Sequence, residues 1–328
     1  MARDNRKPQA RRRPLQSRWR KRGIAPTRLL FEILEDRWLL SAVVDLAVTS
    51  GAVVSNAAAA PTGLTPAQIR QAYGFDQVQF GSVFGDGSGQ TIAIVDAYND
   101  PNIQGDVQVF DAQFGLPNPP SLTVVAQDGT QNLPRADPAG ALYQSGLSGS
   151  WSLEESLDVE WAHALAPRAN IVLVEAASSS ISDMQTAVSF AASYAGVAVV
   201  SMSFGEPEFA GETSDDSLFT TPAGHNGVTF VSSTGDLGAP GEYQAFSPNV
   251  LAVGGTVLTL SANGNYAGEI GWSGSGGGIS LYERKPAYQT NINGGSTPSL
   301  TNRTTPDVAL DAGTSVAVYD SFDAGPTP

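Results

Sequence analysis

The sequence predicts an α/β chain built on a mainly parallel, doubly wound sheet with helices on both faces, and three observations carry that expectation. From Gly63 onward, short apolar runs alternate with amphipathic segments. The runs are of the kind that strands buried on both faces show. The 35 glycines and 21 prolines sit between them, where loops belong. Strand, helix, strand at these intervals implies right-handed crossovers, with ligands bound at the carboxyl ends of the strands.

Taken in order, Thr65-Pro66 opens a short helix through Tyr73, with the threonine as N-cap and the proline in the first turn. Ile92 to Val95 is a short apolar run ending at Asp96. Trp151 to Leu165 has the spacing of a helix, and Asn170 to Ala176, Val197 to Ser203 and Gly227 to Ser233 are further buried strands. Ile181 to Tyr194 is helical in period and capped by Ser182 or Asp183, while Val250 to Thr256 closes the series with a Gly-Gly turn. This order puts Asp96, Ser201 to Gly205 and Ser233 to Gly238 at strand ends.

Of 328 residues, 41% are hydrophobic and no repeat is evident, so one sizeable core over residues 63–328 is expected. The net charge of -14 hides a division. Residues 1–40 hold twelve of the 18 Lys and Arg but four of the 32 acids, which leaves six bases and 28 acids after Leu40. A body carrying about -22 repels nucleic acid and anionic membranes, so neither is a partner. Cysteine is absent, which excludes disulfides, a Cys-ligated zinc and a thiol nucleophile. With only His163 and His225, metal clusters and histidine relays are poorly supplied, and no cofactor-binding or metal-ligating residue is assigned.

Residues 1–42 form a basic leader and residues 43–62 a linker ending in Ala57 to Ala60 and Pro61. The leader's apolar segments are interrupted by charge and too short to span a bilayer. Leu34-Glu-Asp-Arg-Trp-Leu-Leu-Ser-Ala42 resembles the leader that opens many exported proteins of planctomycete-type bacteria, which implies secretion.

The most informative stretch is Trp151 to Leu165. On a wheel of 3.6 residues per turn, Glu154, Leu157, Asp158, Trp161, Ala162 and Leu165 share one stripe, so the face directed at the core holds two carboxylates four residues apart. Glu155, Ser156, Glu160 and His163 fall elsewhere, and an acidic solvated face accommodates Glu155 and Glu160. That reading fails for Glu154 and Asp158, because burying a like-charged pair costs several kcal/mol, as an order of magnitude, unless protons or partners compensate. Such a pair on an apolar wall has its ionisations pushed apart, leaving one acid and one base. A third carboxylate, Asp236, sits in the glycine-flanked loop Thr234-Gly-Asp-Leu-Gly238 just past a strand, where glycines permit close approach of backbone to ligand. An Asx turn is the alternative role for Asp236.

Several ordered blocks then point the same way: Leu64-Thr-Pro-Ala-Gln-Ile-Arg-Gln-Ala-Tyr-Gly-Phe75, Glu154-x-x-x-Asp158, Val200-Ser-Met-Ser-Phe-Gly205, Ser232-Ser-Thr-Gly-Asp236-x-Gly238, Ala252-Val-Gly-Gly-Thr256, Trp272-Ser-Gly-Ser-Gly-Gly-Gly-Ile-Ser280 and Thr305-Pro-Asp-Val-Ala309. From about Gly63 to Tyr319 the chain resembles the sedolisins, the serine-carboxyl peptidases. The resemblance implies a subtilisin-like fold and peptidase chemistry on protein or peptide substrates at acid pH. It implies Glu154 as general base to a serine, Asp158 as the group that orients it, and Asp236 as a protonated donor to the oxyanion. Ser201 to Gly205 and Trp272 to Ser280 would line the substrate cleft.

The nucleophile block of the family is expected beyond Pro328, and the family's calcium site later still, so an inactive, C-terminally incomplete monomer is expected. Gly313-Thr314-Ser315 invites the assignment, yet Ser315 follows Pro306-Asp-Val-Ala309 too closely and leads into a strand-like run to Tyr319. A non-catalytic peptide-binding or surface module on the same scaffold is the alternative. A glycosidase is disfavoured, because carboxyls on successive turns of one helix do not flank a sugar from both faces.

Overall fold

The apolar runs pair as the parallel arrangement requires. A computed structural model describes residues 63–138, 150–290 and 301–322, so the leader (1–42) and linker (43–62) lie outside the described residues. Helix α1 (Pro66–Tyr73) is followed by a hairpin of β1 (Gln79–Phe80) and β2 (Val83–Phe84), then by β3 (Thr91–Ala97), α2 (Ile103–Phe114) and β4 (Leu122–Ala126). Next come α3 (Trp151–Leu165), β5 (Asn170–Ala176), α4 (Ile181–Ser193), β6 (Val197–Met202), β7 (Thr229–Ser233) and β8 (Val250–Leu260). Strands β9 (Tyr266–Gly271), β10 (Gly278–Arg284), β11 (Asn302–Thr305) and β12 (Val308–Asp311) complete the series. The main sheet runs β12-β8-β7-β6-β3-β5-β4, all parallel, with β9 antiparallel against β8.

Alternation along β3 and β5 divides the core between two faces. Ala93, Val95 and Ala97 with Val172, Val174 and Ala176 pack under Met184, Ala187 and Val188 of α4. Ile94, Ile171 and Leu173 face the other way and meet Ile103 and Val107 of α2 and Val159 of α3. The same alternation sends Asp96 and Glu175, register partners on adjacent strands, toward the α2/α3 face.

Caps explain where the helices begin. Thr65 accepts from the Gln68 amide while the Gln68 side chain accepts from the Thr65 amide, a reciprocal capping box. Ser150 caps α3 by accepting from the Leu153 amide at 3.1 Å. The expectation of Ser182 or Asp183 as cap of α4 is corrected to Ser180, whose extended backbone lets its hydroxyl accept from the Asp183 amide.

The Gly-Gly turn expected after Val253 is also corrected. Gly254 and Gly255 lie inside β8, which continues to Leu260 because it gains β12 on one side and β9 on the other. Gly255 donates to the Ser275 hydroxyl and accepts from the Trp272 amide. The missing side chains let this second segment come close.

Candidate active site

Helix α3 carries Glu154 and Asp158 on successive turns, and both are partly exposed. Asp96, fully buried at the carboxyl end of β3, sits under them. Desolvation, then Asp158, Asp96 and Asp236 in turn, raise the Glu154 pKa well above that of an ordinary glutamate. Burial raises Asp158 to about 6, against the opposing pull of the Ser203 hydroxyl, which donates to its Oδ2 at 2.6 Å. Asp96 is raised by burial and by Asp158 and Glu175, and Glu175 itself is pushed to about 9, chiefly by burial and then by Asp100. The three sequence-predicted carboxylates are thus brought together, because Asp236 lies near enough for its charge to act on Glu154.

Asp236 is held by a loop that two segments clamp. The Glu242 amide donates to the Thr234 carbonyl at 3.0 Å, closing the loop on itself. The Gly238 amide donates to the Gly274 carbonyl and the Gly276 amide to the Gly235 carbonyl, both at 2.7 Å. The glycine-rich stretch 272–278 therefore docks against the Asp236 loop, as a cleft-lining segment would. Beneath it the Glu242 side chain occupies the space left by Gly205 and Gly235. A Cβ on Gly205 would stand 2.5 Å from Glu242 Oε2, and one on Gly235 2.9 Å from Glu242 Cδ. Gly235 also has φ +106°, which side-chain-bearing residues rarely adopt. Gly235→Ala is expected to cost about 1–3 kcal/mol through strain and overpacking. Urea denaturation tests this, and a loss under 0.5 kcal/mol, as a rough threshold, would contradict it.

The solvated face expected for Glu155 and Glu160 is corrected, since both are completely buried. Helix α3 is wrapped by α1, α2, the sheet and residues 316–319, so its polar stripe has no water to face. Glu155 Oε2 accepts from the Asp100 amide and Glu160 Oε2 from the Tyr319 amide, and burial raises both pKa values. His163 also points into protein, 3.1 Å from Asp111, and does not approach the cleft carboxylates with any described hydrogen bond. Gly313-Thr314 makes a bend, and the strand expected to run on to Tyr319 is corrected to isolated bridges, with Val316 pairing to Leu64. Ser203, Glu175 and Glu242 were not singled out from sequence. A charge inside the apolar run of β5 was the available signal for Glu175.

Known proteins resemble this chain in sequence and in fold. Residues 139–323 match the model of the Subtilase family. Kumamolisin of Bacillus sp. (strain MN-32) is 32% identical over 278 residues, covering 77% of this chain and 47% of that protein. Sedolisin of Pseudomonas sp. (strain 101) is 29% identical over 246 residues, 66% of this chain and 40% of that one. The chain therefore spans less than half the length of these curated relatives. The solved structure of Pseudomonas sedolisin, a serine-carboxyl proteinase complexed with two molecules of pseudo-iodotyrostatin, superposes with a TM-score of 0.59 at 26% identity, covering 76% of this chain and 71% of that one.

Proposed function

Because this chain belongs to the subtilase family, in its sedolisin branch of serine peptidases, we propose that residues 63–322 form the acidic part of a serine-carboxyl peptidase site that works on proteins or peptides in acid. The observation that carries the reading is that Glu154 stands one helical turn from Asp158 and near enough to Asp236 for both charges to act on it. Glu154 takes the proton of a serine hydroxyl as that oxygen attacks the peptide carbonyl carbon, and returns it to the leaving amine. Asp158, steadied by the Ser203 hydroxyl, orients Glu154. Asp236, protonated in acid, donates to the oxyanion that forms on the carbonyl oxygen. Water then attacks the acyl-enzyme and the same groups run in reverse.

No described residue is assigned as the serine. Ser203 is held on Asp158, and the Ser315 carbonyl accepts from the Leu64 amide in the segment that bridges Leu64. Peptide binding without cleavage by residues 1–328 is the expected behaviour, and this is where the binding-module reading and the peptidase reading meet. Export of the chain belongs to the same proposal and rests on the leader resemblance.

Fluorescence titration of a labelled casein peptide at about pH 4 should show binding that Glu154→Lys and Asp236→Lys weaken at least about tenfold, with no product released. Absence of binding would defeat the peptidase reading. Turnover abolished by Ser315→Ala would instead move the nucleophile to Ser315.

A further inference from the structure

Behind the cleft carboxylates lies a second acidic group that the peptidase reading does not use. Asp100 follows β3, Asp106 is in the first turn of α2, and Asp320 comes from the segment that ends the described chain. Their exposures are 1%, 3% and 1%, and one carboxylate oxygen from each lies within 4.8 Å of the others. Ligand oxygens 2.3–2.6 Å from a shared calcium ion stand at most about 4.6–5.2 Å apart, so the spread suits one such ion. The smaller shell of magnesium would need the group to contract.

Two further carboxylates border the group with a partnerless oxygen each. Glu160 is fully buried, and its Oε2 is fixed by the Tyr319 amide next to Asp320. Its Oε1 has no hydrogen-bond partner among the described residues, and Asp106 and Asp320 are the leading carboxylates that press on it. Glu155, whose Oε2 accepts from the Asp100 amide, likewise has an Oε1 without a partner among the described residues. The ion pairs of the described residues, Arg70–Asp76, His163–Asp111, Arg168–Asp86 and Arg303–Asp307, leave out Asp100 and Asp106. Ionised carboxylates this close and this dry repel one another strongly, and a bound divalent cation reverses the sign of that interaction.

Local hydrogen bonds aim the three aspartates. Asp100 Oδ1 accepts from the Asn102 amide, Asp106 accepts from the Ser321 amide and hydroxyl, and Asp320 Oδ1 accepts from the Phe322 amide. Each contact fixes a carboxylate with a neutral donor, as supporting groups around a metal do.

We propose that Asp100, Asp106 and Asp320, with Glu160 at their border, form a calcium site that fastens residues 319–322 to the start of α2. The site lies ahead of the position where the resemblance puts the family's own calcium. Two ligands come from the stretch that leads from β3 into the first turn of α2 and one from residue 320, so occupancy joins residues 319–322 to the start of α2.

The test uses the whole chain, freed of metal with a chelator and titrated with calcium chloride alone at pH 7. One saturable site with a Kd on the order of 10⁻⁴ M or tighter is expected. A rise in Tm of about 5 °C or more at millimolar calcium should accompany it. Hydrogen exchange read by mass spectrometry should slow in peptides covering 100–106 and 319–322. Asp106→Asn and Asp320→Asn should weaken calcium binding at least about tenfold. Should either variant fail to fold, the exchange map of the unaltered chain decides alone. No saturable calcium uptake, or protection confined to other segments, would overturn the proposal.

Discussion

Arg303→Met is expected to destabilise the chain by about 3–5 kcal/mol, the loss typical of breaking one side of a buried ion pair. Arg303 on β11 is completely buried, and its guanidinium donates to Asp307 Oδ2 at 2.7 Å, to the Val250 carbonyl at 2.9 Å and to the Ala245 carbonyl at 3.1 Å. It also lies over the Tyr288 ring, 5.7 Å from its centroid. Methionine fills the volume but leaves two carbonyls and a carboxylate with fewer donors than they now have. Asp307 would still accept from the Ala252 amide, so Arg303→Met with Asp307→Asn should recover part of the loss. Urea unfolding of both variants measures this, and a change below about 1 kcal/mol for Arg303→Met would show that water replaces the guanidinium.

The second large effect is on pH. Burial lifts Asp158 to about 6, Glu283 to about 7 and Glu212 to about 8, with like charge from Asp216 and Glu208 adding to the last two. Each of these carboxyls holds in the native state a proton that the unfolded chain gives up near pH 4. The stability they contribute is complete below that point and is lost as pH rises through 6 to 8. Exposed Asp128 and the half-buried Asp86 and Asp183 have lowered pKa values, held down by hydrogen bonds from neighbouring Ser and Thr residues, and act in the opposite sense, losing their contribution as pH falls below about 4. A stability maximum near pH 4–5, as a rough range, results, with Tm lower by about 10 °C or more at pH 8. Calorimetry in chelator-treated buffers reads this, and a Tm that is flat or rising from pH 5 to 8 would refute it.

Much of the parallel sheet was legible in the sequence because strands buried on both faces leave a local trace. The run Asn170–Ala176 has the bounds expected of it, and Thr65-Pro66 marked α1 by capping chemistry that acts within four residues. What escaped notice depends on partners far away in the chain. Gly254-Gly255 resembles a turn until β9 and β12 are there to extend the strand past it. Glu155 and Glu160 look solvated on a helical wheel, because a wheel compares two faces and α3 is covered on more than two. Glu154 and Asp158 were picked out because the wheel put them on the stripe expected to face the core, an expectation the structure corrects: of that stripe only Leu157 is buried, whereas Glu155, Ser156, Glu160 and His163 are the covered positions. Ser201 to Gly205 was expected to line the cleft, but the bond from Ser203 to Asp158 and the packing of Glu242 against Gly205 and Gly235 join separate parts of the chain, and periodicity carries no sign of that.

The wedge formed by Glu242 has a consequence for how sequences of this branch can drift. Positions 205, 235 and 242 share one volume, so none of them is free to vary alone. A relative with a bulkier residue at 205 or 235 should carry a shorter one at 242, and the three columns of an alignment should change in concert. A homologue that keeps glutamate at 242 while placing a branched side chain at 235 would have to route this loop differently.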